Sequence, residues 1–449
     1  MKNPFLVVTL LVSLLLTACG GAAAPAAPPA APAATEAPAA AAPAAATEAP
    51  AAAAAPVEIT MMMWGDPAEL DVWNQIVADF HEAQPNITAK VDVSDWDSYW
   101  TKLKTLLSAG TPPDVFTMDA PLYLDYQSRG VLLNLQPYLD KNPDLLTGVY
   151  PQTLEAYKTP DGMYGLPRDF QTIVLFYNSD MFDAAGVDYP TADWTYEDLR
   201  TAAKQLTKIS ADGKVTQFGY YADLWDMELV WSEAIWAYGG DIISPDHTKT
   251  LIGEPKAREA WQLFHDMMFV DKSWPDSNQA QEYGGDPFLA GVAAMTTIGH
   301  WAVPGYAESE FKWNVAPMPK GPAGQATSVN SAGFVVGKAS KNPDAAFEFL
   351  KYVLSEPAQA RLAELGFACP VLESVAQSDS FLKQATPIDH KIFLDSVAFA
   401  HMKPVFKGYD EWSSAVGDGM ATIWTGETEL NPTLDEAIAA ADEVLAKNK

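Results

Sequence analysis

Cysteine is nearly absent from the 449 residues: there are two, Cys19 and Cys369. With no disulfide framework to staple it, the chain must rely on a sizeable core. Basic residues are scarce as well. Lys and Arg number 28 against 58 Asp and Glu, a formal net charge of −30. Such a field repels nucleic-acid phosphates and anionic headgroups, so nucleic acid is excluded as a partner. The acidity reads as a solvated surface. Histidines are six, at 81, 247, 265, 300, 390 and 401, with no HExxH pair and no Cys/His ligand spacing. No metal is therefore expected. A G-x-S-x-G elbow, a Walker P-loop and a G-x-G-x-x-G after a strand are all missing, so no cofactor is expected. Beyond the first residues no stretch is apolar enough to span a membrane.

What the chain does have begins at its start. Lys2 precedes the apolar run Phe5 to Leu16, which ends at Leu16-Thr17-Ala18-Cys19-Gly20. That is the pattern of a signal peptide, residues 1–18. The small residues before Cys19 resemble the lipobox of bacterial lipoproteins. The resemblance implies cleavage before Cys19 and acylation of its thiol, a tether and not a span. An ordinary secretory cleavage elsewhere is the alternative. Residues 19–56 are almost wholly Ala and Pro. They have nothing to bury, and the recurrent prolines oppose a helix, so a disordered tether is expected. With Cys19 lipidated, Cys369 has no partner; its apolar neighbours predict a buried, inert thiol.

From Val57 the composition becomes that of a folded protein, and roughly 390 residues are more than one core usually carries. Val57 to Met63, Ile87 to Val93 and Asp114 to Met118 read as strands. Between them Ala68 to Phe80 and Trp96 to Leu107 have helical spacing. The alternation predicts an α/β fold with a mostly parallel sheet, and ligands bind beyond the carboxyl ends of such strands. Later signals include a capped helix from Thr195, a strand at Phe218 to Tyr221 and an aromatic helix over Leu224 to Tyr238. Pro255 to Val270 reads as one amphipathic helix, and 388–449 as largely helical.

Several segments resemble bacterial extracellular solute-binding protein family 1, the maltose-binding-protein-like components of sugar ABC importers. They are Tyr164-Gly165-Leu166-Pro167 with Thr172 to Asn178, then Asp193 to Leu199, Gly299-His300-Trp301, Val315 to Pro319 with Ser331 to Phe334, and Lys341-Asn342-Pro343. Each alone is weak; the ordered set covers nearly all of the chain after the leader. The resemblance implies a periplasmic-binding-protein-like fold of two discontinuous α/β lobes with a cleft between them. Residues 57–167 and 319–368 would form lobe I, and 172–316 and 373–449 lobe II. The chain would cross near 167–171, 317–319 and 369–372, where prolines suit stiff connectors.

Fourteen tryptophans are many for this length. A sugar offers an apolar C–H face that a ring can cover and hydroxyls that carboxylates, amides and Arg can bond. Candidates are therefore aromatics and polar groups at strand ends. Trp301, after Gly299, leads, because the family places a stacking Trp at this motif. Trp64 and Asp66 follow the first strand, Trp96 the second and Asp119 the third. Arg168, Asp169 and Gln171 sit in the first crossing. Trp225 and Glu228 open the aromatic helix, in which Trp231 and Trp236 read as core. Asn330 and Ser331 precede Gly333 where relatives have a loop near ligand, and Trp412 lies where relatives supply a second stacking ring.

These readings predict a binding protein, not an enzyme, which captures a mono- to oligosaccharide and passes it to ABC permease transmembrane subunits. It would be exported, held at the outer face of the membrane through its lipid only, and monomeric. An exported glycoside hydrolase or lyase is the rival, since carboxylates are plentiful. A glycerol-phosphate-type ligand is a further alternative, opposed by the sparse Lys and Arg.

Overall fold

A computed structural model of the chain describes residues 56–224, 227–386 and 388–448. The expected leader, Cys19, the Ala/Pro tether and Trp225 lie outside these residues. The described part opens with strand β1 (Val57–Trp64), helix α1 (Pro67–Ala83), β2 (Ile87–Ser94), α2 (Trp96–Ser108) and β3 (Val115–Asp119). Both helices start where the sequence supplies caps. Asp66 accepts from Glu69 N at 2.8 Å, and Asp95 accepts from Ser98 N at 3.0 Å. The apolar stripe Val72, Trp73, Ile76 and Phe80 of α1 is buried against the sheet.

Strand β4 (Gly165–Pro167) is followed at once by β5 (Gln171–Thr172) and β6 (Val174–Asn178). Then come α3 (Tyr196–Leu206), α4 (Trp231–Ala237), α5 (Pro255–His265), β7 (Met295–Ile298), β8 (Trp313–Ala316) and β9 (Thr327–Asn330). Strand β10 (Ala332–Val336) returns to the beginning of the fold and leads into α6 (Pro343–Val353) and α7 (Glu356–Glu364). The chain closes with β11 (Ala400–Met402), α8 (Tyr409–Trp424) and α9 (Leu430–Lys447).

The first lobe is built on a five-stranded sheet in the order β2-β1-β3-β10-β4. The run β2-β1-β3 is parallel, because α1 and α2 return the chain for each crossover. Strand β10 is antiparallel to both β3 and β4. The second lobe has β7-β6-β8, antiparallel throughout, and β11-β9-β5. The expectation of a mostly parallel sheet thus holds only where βαβ crossovers exist. Strands that arrive from the other lobe enter from the opposite end.

The two-lobe α/β arrangement matches the sequence reading, but its crossings move. The first passes at 168–170, between β4 and β5. The second does not lie at 317–319. Lys320 N donates to Trp194 O and Ala323 N to Ala237 O, both at 2.8 Å, so this hairpin stays on the second lobe. The passage comes at Ser331, between β9 and β10. The third does not end at 372 either, since the short helices Glu373–Ala376 and Asp379–Leu382 still pack against α7. The strand at Phe218 to Tyr221 is reduced to isolated bridges, Phe218 to Ala293 and Tyr221 to Thr296. Helix α4 begins only at Trp231, and α5 ends at His265, where Asp266–Val270 widens into π turns.

Candidate functional site

Trp64 ends β1 at the edge of a four-ring cluster. Its centroid lies 4.9 Å from Trp96, 5.3 Å from Tyr99 and 5.6 Å from Trp100. The i, i+4 spacing of Trp96 and Trp100 puts both rings on one face of α2. Trp100 continues to Tyr126, 5.7 Å away. Most of these pairs meet edge to face, as ring quadrupoles favour.

A second wall stands opposite. Trp96, Trp100 and Leu122 from the first lobe and Met227, Trp231, Tyr409 and Trp412 from the second enclose a cavity of about 80 Å³. That is room for a small cluster of waters. Trp412 is fully buried and its indole Nε1 donates to Thr250 Oγ1 at 2.9 Å, which fixes the ring. The polar groups of the cavity are Asp119, Lys403, Asp410 and the serines Ser413 and Ser414.

Asp119 stands at the carboxyl end of β3 and accepts from Asn330 Nδ2 at 2.6 Å. It makes no capping bond to the turn that follows, and it lines the cavity. Lys403 is 4 % exposed. Its Nζ lies 3.1 Å from Glu228 Oε2 and 3.9 Å from Asp119 Oδ2. A buried ammonium of this kind is held by its carboxylates, and here they come from both lobes. Glu233 lies beneath this floor. Its Oε1 accepts from Ser328 N at 3.1 Å and Ser328 Oγ at 2.5 Å, and burial pushes its carboxyl up to about 8.

Arg168 belongs to a separate knot at the first crossing. Its guanidinium carbon lies 5.1 to 5.6 Å from the rings of Trp64, Trp73, Phe334 and Phe367. Its Nε is 2.8 Å from Asp169 Oδ2, with both side chains buried. Burial pushes Asp169 up, against the pull of Arg168. Glu69 is raised to about 7 by burial, likewise opposed by Arg168. Ser331 Oγ donates to Asp169 O at 2.8 Å, and Gln171 Nε2 reaches Asp169 Oδ1 at 3.4 Å.

Of the residues singled out in the sequence, Trp96, Asp119 and Trp412 bound the cavity. Trp64 backs Trp96, while Glu228 and Asn330 hold the polar floor. Arg168, Asp169, Gln171 and Ser331 tie the hinge together and do not line the cavity. Asp66 is engaged as the cap of α1. Trp301 does not line the cavity; its ring folds back over Gly299, where a Cβ would stand 1.8 Å from Trp301 Cζ3. Lys403, Trp100, Trp231, Tyr409 and Asp410 were not selected. Trp100 carried a signal in its spacing from Trp96, and Trp231 was assigned to the core by its helical period. Lys403 had none, because its importance arises from carboxylates 175 and more positions away in the chain.

The profile of the family described as bacterial extracellular solute-binding protein matches residues 64–360. A binding protein of Brucella abortus is 27% identical over 373 residues, covering 82% of this chain and 88% of that protein. The diacetylchitobiose binding protein of Streptomyces coelicolor is 25% identical over 343 residues, 73% of this chain and 77% of its own. Among solved structures, an ABC substrate-binding protein of Listeria monocytogenes in complex with cycloalternan superposes with a TM-score of 0.80. It is 26% identical and covers 87% of this chain and 99% of that one.

Proposed function

The chain belongs to the family of bacterial extracellular solute-binding proteins, and from that premise we propose that it captures a carbohydrate between its lobes for an ABC importer. The observation that carries this reading is the cavity itself. Aromatic rings from both lobes line it, and Asp119, Lys403 and Asp410 supply hydrogen-bonding groups. Rings suit the C–H faces of a sugar and the polar floor suits its hydroxyls. Two of the proteins compared above support a sugar ligand: the Streptomyces coelicolor protein is a diacetylchitobiose binding protein, and the Listeria monocytogenes protein is in complex with cycloalternan.

Among the described residues of the floor, two carboxylates, Asp119 and Glu228, stand beside the ammonium of Lys403. That excess disfavours anionic ligands such as glycerol phosphates and favours neutral sugars. At about 80 Å³ the cavity is smaller than the roughly 300 Å³ of a typical ligand pocket. Entry of an oligosaccharide therefore requires the lobes to part and close again around it. In this reading the first lobe comprises 57–167 and 332–382, and the second the remainder of the described chain. The closed form is what the permease subunits recognise. Acylation of Cys19 would hold the protein at the outer membrane face, and the Ala/Pro tether would give it reach and a high local concentration.

The test is a thermal-shift and calorimetric panel of maltotriose, mannobiose, galacto-oligosaccharide, diacetylchitobiose and glycerol 3-phosphate. One neutral sugar is expected to bind and raise the melting temperature, with no reducing ends released over hours. Binding of glycerol 3-phosphate alone, or sugar hydrolysis, refutes the reading.

A further inference from the structure

Helix α8 carries Tyr409 and Trp412 to the cavity, yet it has no cap of its own. Its N-cap position is Gly408, held at φ 90°, with no side chain to offer the first turn. The glycine meets the left-handed turn and gives up the usual Ser, Thr, Asn or Asp acceptor. The acceptor comes from elsewhere. Asp125, on the short helix Tyr123–Ser128, is buried and accepts from Gly408 N at 2.7 Å through Oδ1. Its Oδ2 lies 3.4 Å from Asp410 N. The two oxygens of one carboxylate thus take two of the orphan amides, at the positive end of the helix dipole.

The two partners belong to different lobes. Asp125 follows β3 of the five-stranded sheet, and its neighbour Tyr126 packs on Trp100. Helix α8 is anchored on the other side, through Trp424 against Trp261 of α5 and Trp412 to Thr250. A second link runs in parallel: Lys104 Nζ of α2 lies 2.9 Å from Asp410 Oδ2.

We infer that Asp125 is a positioning residue that caps helix α8 across the cleft, so that lobe closure and placement of Tyr409 and Trp412 over the ligand are one event. When the lobes part, the first turn of α8 loses its acceptor and Asp125 loses its donors. The contact exists only in the closed arrangement and contributes to that arrangement alone. The inference builds on the binding function proposed above, but the latch is measurable without ligand.

The experiment uses the full chain with Cys19→Ser and spin labels at Lys141→Cys and Lys214→Cys, exposed positions on the two lobes; Cys369 is buried. Pulsed dipolar spectroscopy reads the ligand-free separation of the lobes, and stopped-flow fluorescence reads maltotriose, or whichever panel sugar binds. Asp125→Ala is expected to lengthen and broaden the ligand-free distances. It should raise the sugar dissociation rate by about five-fold, the worth of one cap, with the association rate nearly unchanged. Asp125→Asn, which keeps an acceptor, should fall between wild type and alanine. If Asp125→Ala does not fold, Asp125→Asn and Lys104→Met carry the same test from folded protein. Wild-type distances together with a wild-type dissociation rate in the folded variants overturn the inference. A wild type that binds no sugar sinks the proposed function instead, while the ligand-free distances still decide the latch.

Discussion

Asp119 and Glu233 are both buried carboxyls near the cavity, yet their surroundings assign them different work. Asp119 meets the amide of Asn330 and the ammonium of Lys403, both of them donors. Glu233 is surrounded by Ser232 and Ser328, and burial lifts it to about 8, so it is mostly protonated at neutral pH. Its folded value stands above the unfolded value of 4.5. Its contribution to stability is therefore full below that value and lost as pH rises through 8. Melting temperature should fall as pH rises from about 4.5 to about 8 and level off above, and Glu233→Gln should flatten that fall. A wild-type slope in the variant would exclude Glu233 as its source. The rings invite a second measurement. Trp96→Ala should weaken sugar binding by about 1–2 kcal/mol, the worth of a ring contact, as read by calorimetry. Trp301→Ala, off the cavity, should weaken it less; the reverse order would move the ligand toward the 300–302 turn.

At the scale of elements, the helices near the cleft are set by their first turns. The sequence marks Thr195 and Asp198 as a variant box, and both halves form at α3. Asp66 shows the opposite lesson. Its place after the first strand reads as a ligand contact, but the side chain is committed to Glu69 N, and Glu69 Oε2 accepts from Asp66 N in return. Asp66→Ala should cost about 1 kcal/mol of stability in urea titrations and leave sugar affinity within two-fold. A large affinity loss at unchanged stability would restore Asp66 to the site. Helix α8 takes the acceptor for its first turn from far away in the chain, since Gly408 offers no side chain. Its acceptor, Asp125, sits 283 positions earlier in the chain.

For the molecule as a whole, capture between two lobes, as proposed above, would make binding and closure one equilibrium. A ligand that contacts both walls at 100 times its Kd should add about 2.7 kcal/mol to stability. It should also reduce the radius of gyration seen by small-angle scattering. An unchanged radius with a raised melting temperature would mean a static site instead of a closing one. The first crossing carries a buried ion pair. Arg168 among four rings, paired with Asp169, joins β4 of the first lobe to β5 of the second.

Local physics wrote much of this chain's architecture into its sequence. Apolar runs and 3.6-residue periods located β1, α1, α2 and β3. The aromatic content, read with the ordered motifs, pointed to the right class of protein. Other features depend on residues distant in sequence, for which no period exists. The second crossing moved from its prolines to Ser331 because Lys320 and Ala323 found partners at Trp194 and Ala237. Lys403 became part of the cavity only when folding brought Glu228 and Asp119 to it from opposite lobes. A strand or cap is decided by neighbours a few residues away, which the sequence displays. A buried charge is decided by whatever the closed lobes place beside it, which tertiary structure alone arranges.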